Sequence, residues 1–332
     1  MDKILSICVP SYNMEQYLAR NIESLLIPDC KDKIEVIVVN DGSKDNTFKI
    51  ANEYKDKFPD TVVVIDKNNG HYGSCVNAAL KVAKGKYFRI VDADDFVDAE
   101  GLKKLVADME MLDVDCIYTQ FAQICEGKLS LVDSESIDLP YNKEIFIDQV
   151  KLPNGIFHMH CLSYRTQLLR DIKYVQTEGI CYTDTEYVYY PLMNSKTIYL
   201  EKFHLYCYLV GRGGQSVDIK SLRYNYSHFQ KIHERISHDY QNLSNKGRSY
   251  LYDFYMRVLL GYMFEISVLF NPIKDNQNDL RSRITDLSLD NKNYLFSRKN
   301  SHLPAVKMWM RNNVLDKLII FCMQRYYKQL QK

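Results

Sequence analysis

The chain lacks a surplus of charge of either sign: 43 Lys and Arg stand against 42 Asp and Glu in 332 residues. A protein that grips nucleic acid through its phosphates carries a basic excess, so the balance argues against that partner. Cysteines number nine, but no Cys-x-x-Cys pair and no Cys/His cluster at zinc spacing occurs. They read as reduced thiols of a cytoplasmic protein. No apolar run reaches the roughly 18 residues a membrane-spanning helix needs. Met1-Asp2-Lys3 leads straight into a short strand-like run, so no signal peptide is expected. No Gly-x-Gly-x-x-Gly follows that first run, which argues against a dinucleotide-binding domain, and no P-loop is present.

What is there is an alternation of two periods. Residues 4–9, 34–39, 61–66, 87–91 and 114–119 are short apolar runs rich in Val and Ile. Such runs suit strands buried on both faces. Between them apolar residues recur at helical spacing: Leu18, Ile22, Leu25, Leu26; then Val76, Ala79, Leu80, Ala83; then Leu102, Leu105, Val106, Met109. Strand and helix in alternation imply right-handed βαβ units and a mostly parallel sheet. Ligands of such sheets bind beyond the carboxyl ends of the strands, so chemistry is expected in the residues that follow them.

After the fourth run come Asp92, Asp94 and Asp95. Clustered carboxylates raise one another's pKa unless a cation neutralises them. Two acids one residue apart can clamp Mg²⁺ or Mn²⁺ together with a phosphate, or simply form a solvated loop. Pro10 is expected to end the first strand, leaving the Tyr12 ring at the sheet edge to stack on a base or pack locally. Asp41 precedes Gly42, while Ser43 or Asp45 can cap the next helix. Asp41 is thus free of an evident structural duty and able to accept from a base or ribose. The glycines of Asn69-Gly70-His71-Tyr72-Gly73-Ser74 allow either a close approach to phosphate or base, or an ordinary turn.

Four segments stand together in one order: SICVPSYN, EVIVVNDGSKDNT, NNGHYGSCVNAALKVAKGKYFRIVDADD and ICYTDTEYVYYP. Over residues 1–216 this arrangement resembles the family 2 glycosyltransferases of the GT-A fold, in particular bacterial enzymes that build surface polysaccharides or decorate wall polymers. The resemblance implies an α/β, Rossmann-like sheet flanked by helices and an inverting transfer of sugar from a nucleotide-sugar donor, a UDP-sugar. Pro10, Tyr12 and Asp41 match positions that hold base and ribose. Asn69, Gly73 and Asn77 match the loop and helix that close over the nucleotide. Asp92 and Asp94 match the family's Asp-x-Asp, the first touching the ribose and the second bearing Mn²⁺ or Mg²⁺. Asp184 matches the catalytic base, and Arg212 and Ser216 a late motif near the donor diphosphate. Two positions depart from the pattern: Thr183 replaces the Glu usual before the base, and Val76 replaces an Arg. Glu186 is a candidate to compensate for the first; His71, His158 and His160 are candidates for the missing phosphate contact.

Residues 1–120 are thus expected to form a nucleotide-binding half and 121–216 a polar, loop-rich acceptor-side half, facing a saccharide or lipid-linked glycan. A helical region, 217–332, follows. In it Leu251, Phe254, Tyr255, Val258 and Tyr262 mark one amphipathic helix, and residues 271–302 read as a polar connector. From residue 304 apolar side chains such as Trp309 and Leu318 mix with Lys307, Arg311 and Lys317. That mixture suits a peripheral helix on an anionic membrane, a helix on the protein's own core, or a homo-oligomer contact. Two other functions compete: a nucleotidyltransferase, which would open with a Gly-rich loop and a basic residue absent here, and a non-catalytic nucleotide-sugar-binding scaffold, which Thr183 favours.

Overall fold

The computed structural model describes residues 3–125, 128–132, 140–149, 157–211, 219–242, 249–264, 266–267 and 274–285. They fall into two compact units, Met1–Arg212 and Gly213–Lys332.

The first unit is built on one mixed sheet. Its strands are β1 (Leu5–Ser11), β2 (Ile34–Asp41), β3 (Val62–Lys67), β4 (Tyr87–Ile90), β5 (Phe96–Val97), β6 (Cys116–Cys125), β7 (Lys128–Val132), β8 (Glu144–Phe146), β9 (Leu162–Arg165) and β10 (Thr197–Val210). They lie in the order β3-β2-β1-β4-β9-β6-β10-β5, with β7 on β6 and β8 on β10. β1 runs parallel to β2 on one side and to β4 on the other. Its carboxyl end is therefore the switch point where an α/β sheet binds its ligand. β9 is antiparallel to both β4 and β6, and β10 runs parallel to β6.

Helices α1 (Leu18–Leu25), α2 (Thr47–Lys57), α3 (His71–Val82), α4 (Ala99–Met111), α5 (Thr166–Asp171) and α6 (Asp184–Asn194) flank the sheet. α3 packs on β1 and β2, α2 on β3 and α4 on β10. Every residue of β2 is buried, as its unbroken apolar run requires of a strand covered on both faces. Glu35, the acid in that strand, accepts from the Ser6 hydroxyl at 2.5 Å and from the amides of Lys84 and Gly85.

Two expectations are corrected. Pro10 does not end β1, which continues to Ser11 opposite Asn40; β4 pairs with β1 only as far as Cys8, so Pro10 needs no donor on that side. The described residues of the 121–216 half are not mainly loop. They hold the far half of β6, β9 and the 14-residue β10. Register shifts between Leu200 and Tyr206 break the alternation of β10 and hide it in the sequence. Pro191 lies inside α6.

The second unit contains α7 (Ile219–Tyr224), α8 (Tyr226–Gln241), α9 (Ser249–Phe264) and α10 (Lys274–Thr285). α8 buries Tyr226, Phe229, Ile232, His233, Ile236 and Tyr240, one face at helical spacing. α9 buries Leu251, Tyr255, Met256, Leu259, Leu260 and Met263, whereas Tyr262 is 45% exposed. The expected connector contains α10, anchored through Arg283 to Asp279 and to Glu234 of α8. Among the described residues no helix is long and apolar enough to cross a membrane. Arg212, Ser216 and the segment from 304 lie outside the described residues.

Candidate active site

β4 ends at Ile90, and the three acids follow in the turn before β5. Asn21 of α1 reaches across and donates its Nδ2 to the carbonyls of Asp92 and Asp95, both at 2.9 Å. The turn is therefore fixed by a helix that precedes it by 70 residues. Asp92 is half-buried and accepts from the Tyr72 hydroxyl at 2.9 Å. Asp95 is buried and fully engaged: Oδ2 accepts from Tyr206 at 2.6 Å and Oδ1 from the Leu209 amide at 2.7 Å. Burial first, and then the neighbouring acids, push both carboxyls well above the usual range. Asp94 is half-exposed, and Arg20 donates to its backbone carbonyl at 3.2 Å.

Beside this turn, Tyr12 follows β1 with its ring 46% exposed. Asp41, at the end of β2, has a structural duty after all. Its Oδ1 lies 2.6 Å from Lys67 Nζ and accepts the Gly70 amide at 2.9 Å, and its carbonyl accepts from Asn69 Nδ2 at 3.0 Å. The carboxylate thus knots β2 to the loop that opens α3. Asn77 is also committed within the protein. Its Nδ2 donates to the Gln176 carbonyl and to Glu178 Oε1, and its Oδ1 accepts the Gln176 amide. Gly73 lies against the same segment: a Cβ there would stand 2.2 Å from the Thr177 carbonyl oxygen. That close approach, rather than a ligand, explains the glycine. Val76 is fully buried.

Asp184 opens α6, and its side chain is exposed. Crowding by the surrounding protein raises its pKa, opposed by the amides of Thr185 and Asp184 itself. The Asp184 charge acts on Asp92, so the two acids, 92 residues apart, share one site. Glu186, two residues on, is buried and committed within the protein. It takes the Thr177 amide at 2.7 Å and the Thr177 hydroxyl at 2.6 Å.

The family model of glycosyl transferase family 2 matches residues 6–173. This chain belongs to glycosyl transferase family 2. It is 31% identical over 169 residues to the poly(ribitol-phosphate) β-N-acetylglucosaminyltransferase TarS of Staphylococcus aureus, covering 50% of this chain and 28% of TarS. It is 28% identical over 185 residues to the uncharacterized glycosyltransferase MG025 homolog of Mycoplasma pneumoniae, covering 50% of this chain and 62% of that one. The crystal structure of S. aureus TarS 1–349 in complex with UDP-GlcNAc matches with a TM-score of 0.69 at 21% identity, over 98% of this chain and 92% of that one. At that identity the match establishes the shared α/β fold.

The family 2 site has an oxygen-rich donor set that fits a hard divalent cation. Asp92 and Asp94 are partly exposed. Asp92, Asp95 and His160 bring ligand atoms within 4.8 Å of one another, but both oxygens of Asp95 are already occupied by Tyr206 and Leu209. Asp92 and Asp94 are accordingly the residues that would hold the ion.

His160 stacks on Tyr208 at 4.8 Å and packs on Tyr206 at 4.6 Å, with His158 6.2 Å away. Burial lowers the pKa of both histidines, that of His160 to about 3. They are neutral at pH 7 and therefore poor substitutes for a phosphate-binding Arg. Buried Arg89 donates to the Ser163 and Thr119 hydroxyls and to the His160 carbonyl, tying that wall to β4. Sequence reasoning missed Tyr72, Arg89 and Tyr206. Tyr72 stood inside the glycine loop as a signal; Tyr206 reaches Asp95 across 111 residues, which no local pattern announces.

Proposed function

We propose that this chain is a metal-dependent, inverting glycosyltransferase that moves a sugar from a UDP-sugar to a hydroxyl of a saccharide, a lipid-linked glycan or a wall polymer. The reading rests on one observation above others: the acids after β4 and Asp184 of α6 converge beside the carboxyl end of β1, close enough for their charges to interact. The likeness to TarS, named for N-acetylglucosamine transfer to poly(ribitol phosphate), supports the donor and acceptor classes. The catalytic region is assigned to residues 1–216, with 217–332 a helical appendage, working at the cytoplasmic face of the membrane.

In this reading the donor base stacks on Tyr12 beside Pro10, and Asp41, buried and knotted to the Gly70 loop, shapes the pocket for the ribose or base. Asn69 and Gly73 shape the loop over the nucleotide, Asn77 acts through the segment it holds, and Arg212 and Ser216 approach the diphosphate. Asp92 faces the ribose, and Asp94 is the principal metal ligand. A bound Mn²⁺ or Mg²⁺ would neutralise the charge of the departing diphosphate. Asp184 accepts the proton of the acceptor hydroxyl as its oxygen attacks the anomeric carbon. The new carbon–oxygen bond forms as the bond to the diphosphate breaks, its electron pair leaving with UDP. Attack from the opposite face inverts the anomeric centre.

Thermal shift with UDP, GDP, CDP, dTDP and UDP-GlcNAc, each with and without Mn²⁺, tests the donor site, because a ligand of the folded state raises its stability. A Mn²⁺-dependent shift with UDP that is lost in Asp94→Ala is the expected result. No shift with any nucleotide, and no UDP release from UDP-GlcNAc, would favour a non-catalytic scaffold.

A further inference from the structure

The turn that delivers Asp184 is tied to the donor side of the site by side chains that face away from the ligand. Residues 172–183 connect α5 to α6 and contain three left-handed positions, at Lys173, Gly179 and Tyr182. A connector with such a backbone follows no regular ladder, so its course is set by what it bonds to. Asn77 of α3 grips it on one side, with three hydrogen bonds of 2.8 to 3.0 Å to Gln176 and Glu178. Glu186 of α6 grips it on the other, both carboxylate oxygens closing on Thr177. Gln176 Nε2 donates to the Thr183 carbonyl at 2.9 Å, directly before Asp184. The Gly179 amide donates to the Gly70 carbonyl, and the Gly70 amide to Asp41.

Three features make this a joint rather than incidental packing. Asn77 and Glu186 are both buried, so neither side chain is available to a ligand in the cleft. Gly73 allows the Thr177 carbonyl to approach α3 as closely as a backbone can. The Thr183 hydroxyl is buried with no hydrogen-bond partner, so the residue next to Asp184 does not anchor the turn through its own side chain.

We propose that Asn77 and Glu186 are positioning residues: from opposite sides they clamp residues 176–178 and so hold Asp184 at a set distance from the donor loop. This rests on the reading of Asp184 as the base. The clamp couples two functional halves: α3 begins in the loop knotted to Asp41, and α6 begins with Asp184. A base displaced by an ångström loses in-line geometry while the donor site stays intact.

The test uses the full chain, with UDP-GlcNAc as probe, UDP release into water as the rate, and hydrogen exchange of residues 174–186 as a readout independent of activity. Asn77→Ala and Glu186→Ala should each lower kcat by roughly 10- to 100-fold with donor KM within about threefold, and should speed exchange across 174–186. Glu186→Gln should restore most of both, since its amide can accept the Thr177 N–H and donate to the Thr177 hydroxyl. Should Glu186→Ala fail to fold, Thr177→Val removes one of the same bonds with little change of volume and should give a smaller loss of the same kind. Unchanged exchange in both alanine variants overturns the clamp whatever the donor proves to be. So does a KM effect that equals the kcat effect. Full activity in Asp184→Asn instead overturns the base and leaves the exchange result to judge the clamp.

Discussion

At the scale of the residue, the site is a set of acids whose protonation is governed by their surroundings. As the proposed base Asp184 must be ionised, and desolvation by the surrounding protein raises its pKa above the 3.8 of a free aspartate. The sign follows directly: a raised pKa moves the loss of activity on the acid side to higher pH. The acid limb of kcat for UDP release should therefore lie above the ordinary aspartate range, and Asp184→Asn should lower kcat by roughly 10²- to 10⁴-fold. A limb at about pH 4 or below would count against Asp184 as base. Tyr206 offers a second check. Its hydroxyl donates to buried Asp95 and accepts the Asp92 amide at 3.1 Å. Tyr206→Phe leaves both groups short of a partner and should cost about 1–3 kcal/mol in urea unfolding. An unchanged midpoint would show that the pair is satisfied in another way.

At the scale of the element, the strands were legible and the joints between elements were not. β1, β2 and β4 are apolar runs buried on both faces, so their composition announces them. β9 and β10 lie in the polar stretch that resembled loop; the register shifts of β10 scramble the period on which sequence reading depends. Asn77 and Asp41 were singled out from the sequence as ligand-facing residues, yet each is buried and holds a neighbouring segment. Gly73 is the element-scale counterpart. Gly73→Ala would force a Cβ against the Thr177 carbonyl, and the strain should cost about 1–3 kcal/mol. The damage should fall on residues 176–178: faster hydrogen exchange there, with β1 and β2 unaffected, is the expected pattern, and uniform destabilisation would contradict it.

At the scale of the whole molecule, the helical unit has an acid sensitivity of its own. His233 of α8 is buried, and Arg283 of α10 points its Nη1 at His233 Nδ1 at 2.9 Å, with Asp279 and Glu234 on the same guanidinium. A donor aimed at that nitrogen requires the neutral ring. Burial and then the Arg283 charge lower the His233 pKa from 6.5 to about 4. The unfolded chain therefore takes up the proton near pH 6.5, the folded unit only near 4. The contribution, about 3 kcal/mol, is complete above pH 6.5 and lost as pH falls toward 4. Hydrogen exchange in α8 of the full chain should rise through that window, and His233→Gln should flatten the dependence.

The sequence by itself determined strands β1 to β4 and the start of β6, the helices between them and the order in which the acids follow them, because these depend on hydrophobic period and on strand ends, which are local properties. It also singled out the acids that the proposed function uses, because an acid at the end of a buried strand stands out from the apolar run before it. Only the tertiary structure decided what each side chain touches. Asp95 is occupied by Tyr206 and Leu209, Glu186 turns back to Thr177, and His160 is a neutral ring in an aromatic wall. These pairings join residues up to 114 positions apart, and hydrogen-bond geometry between such partners is set by how the elements pack, not by any pattern along the chain.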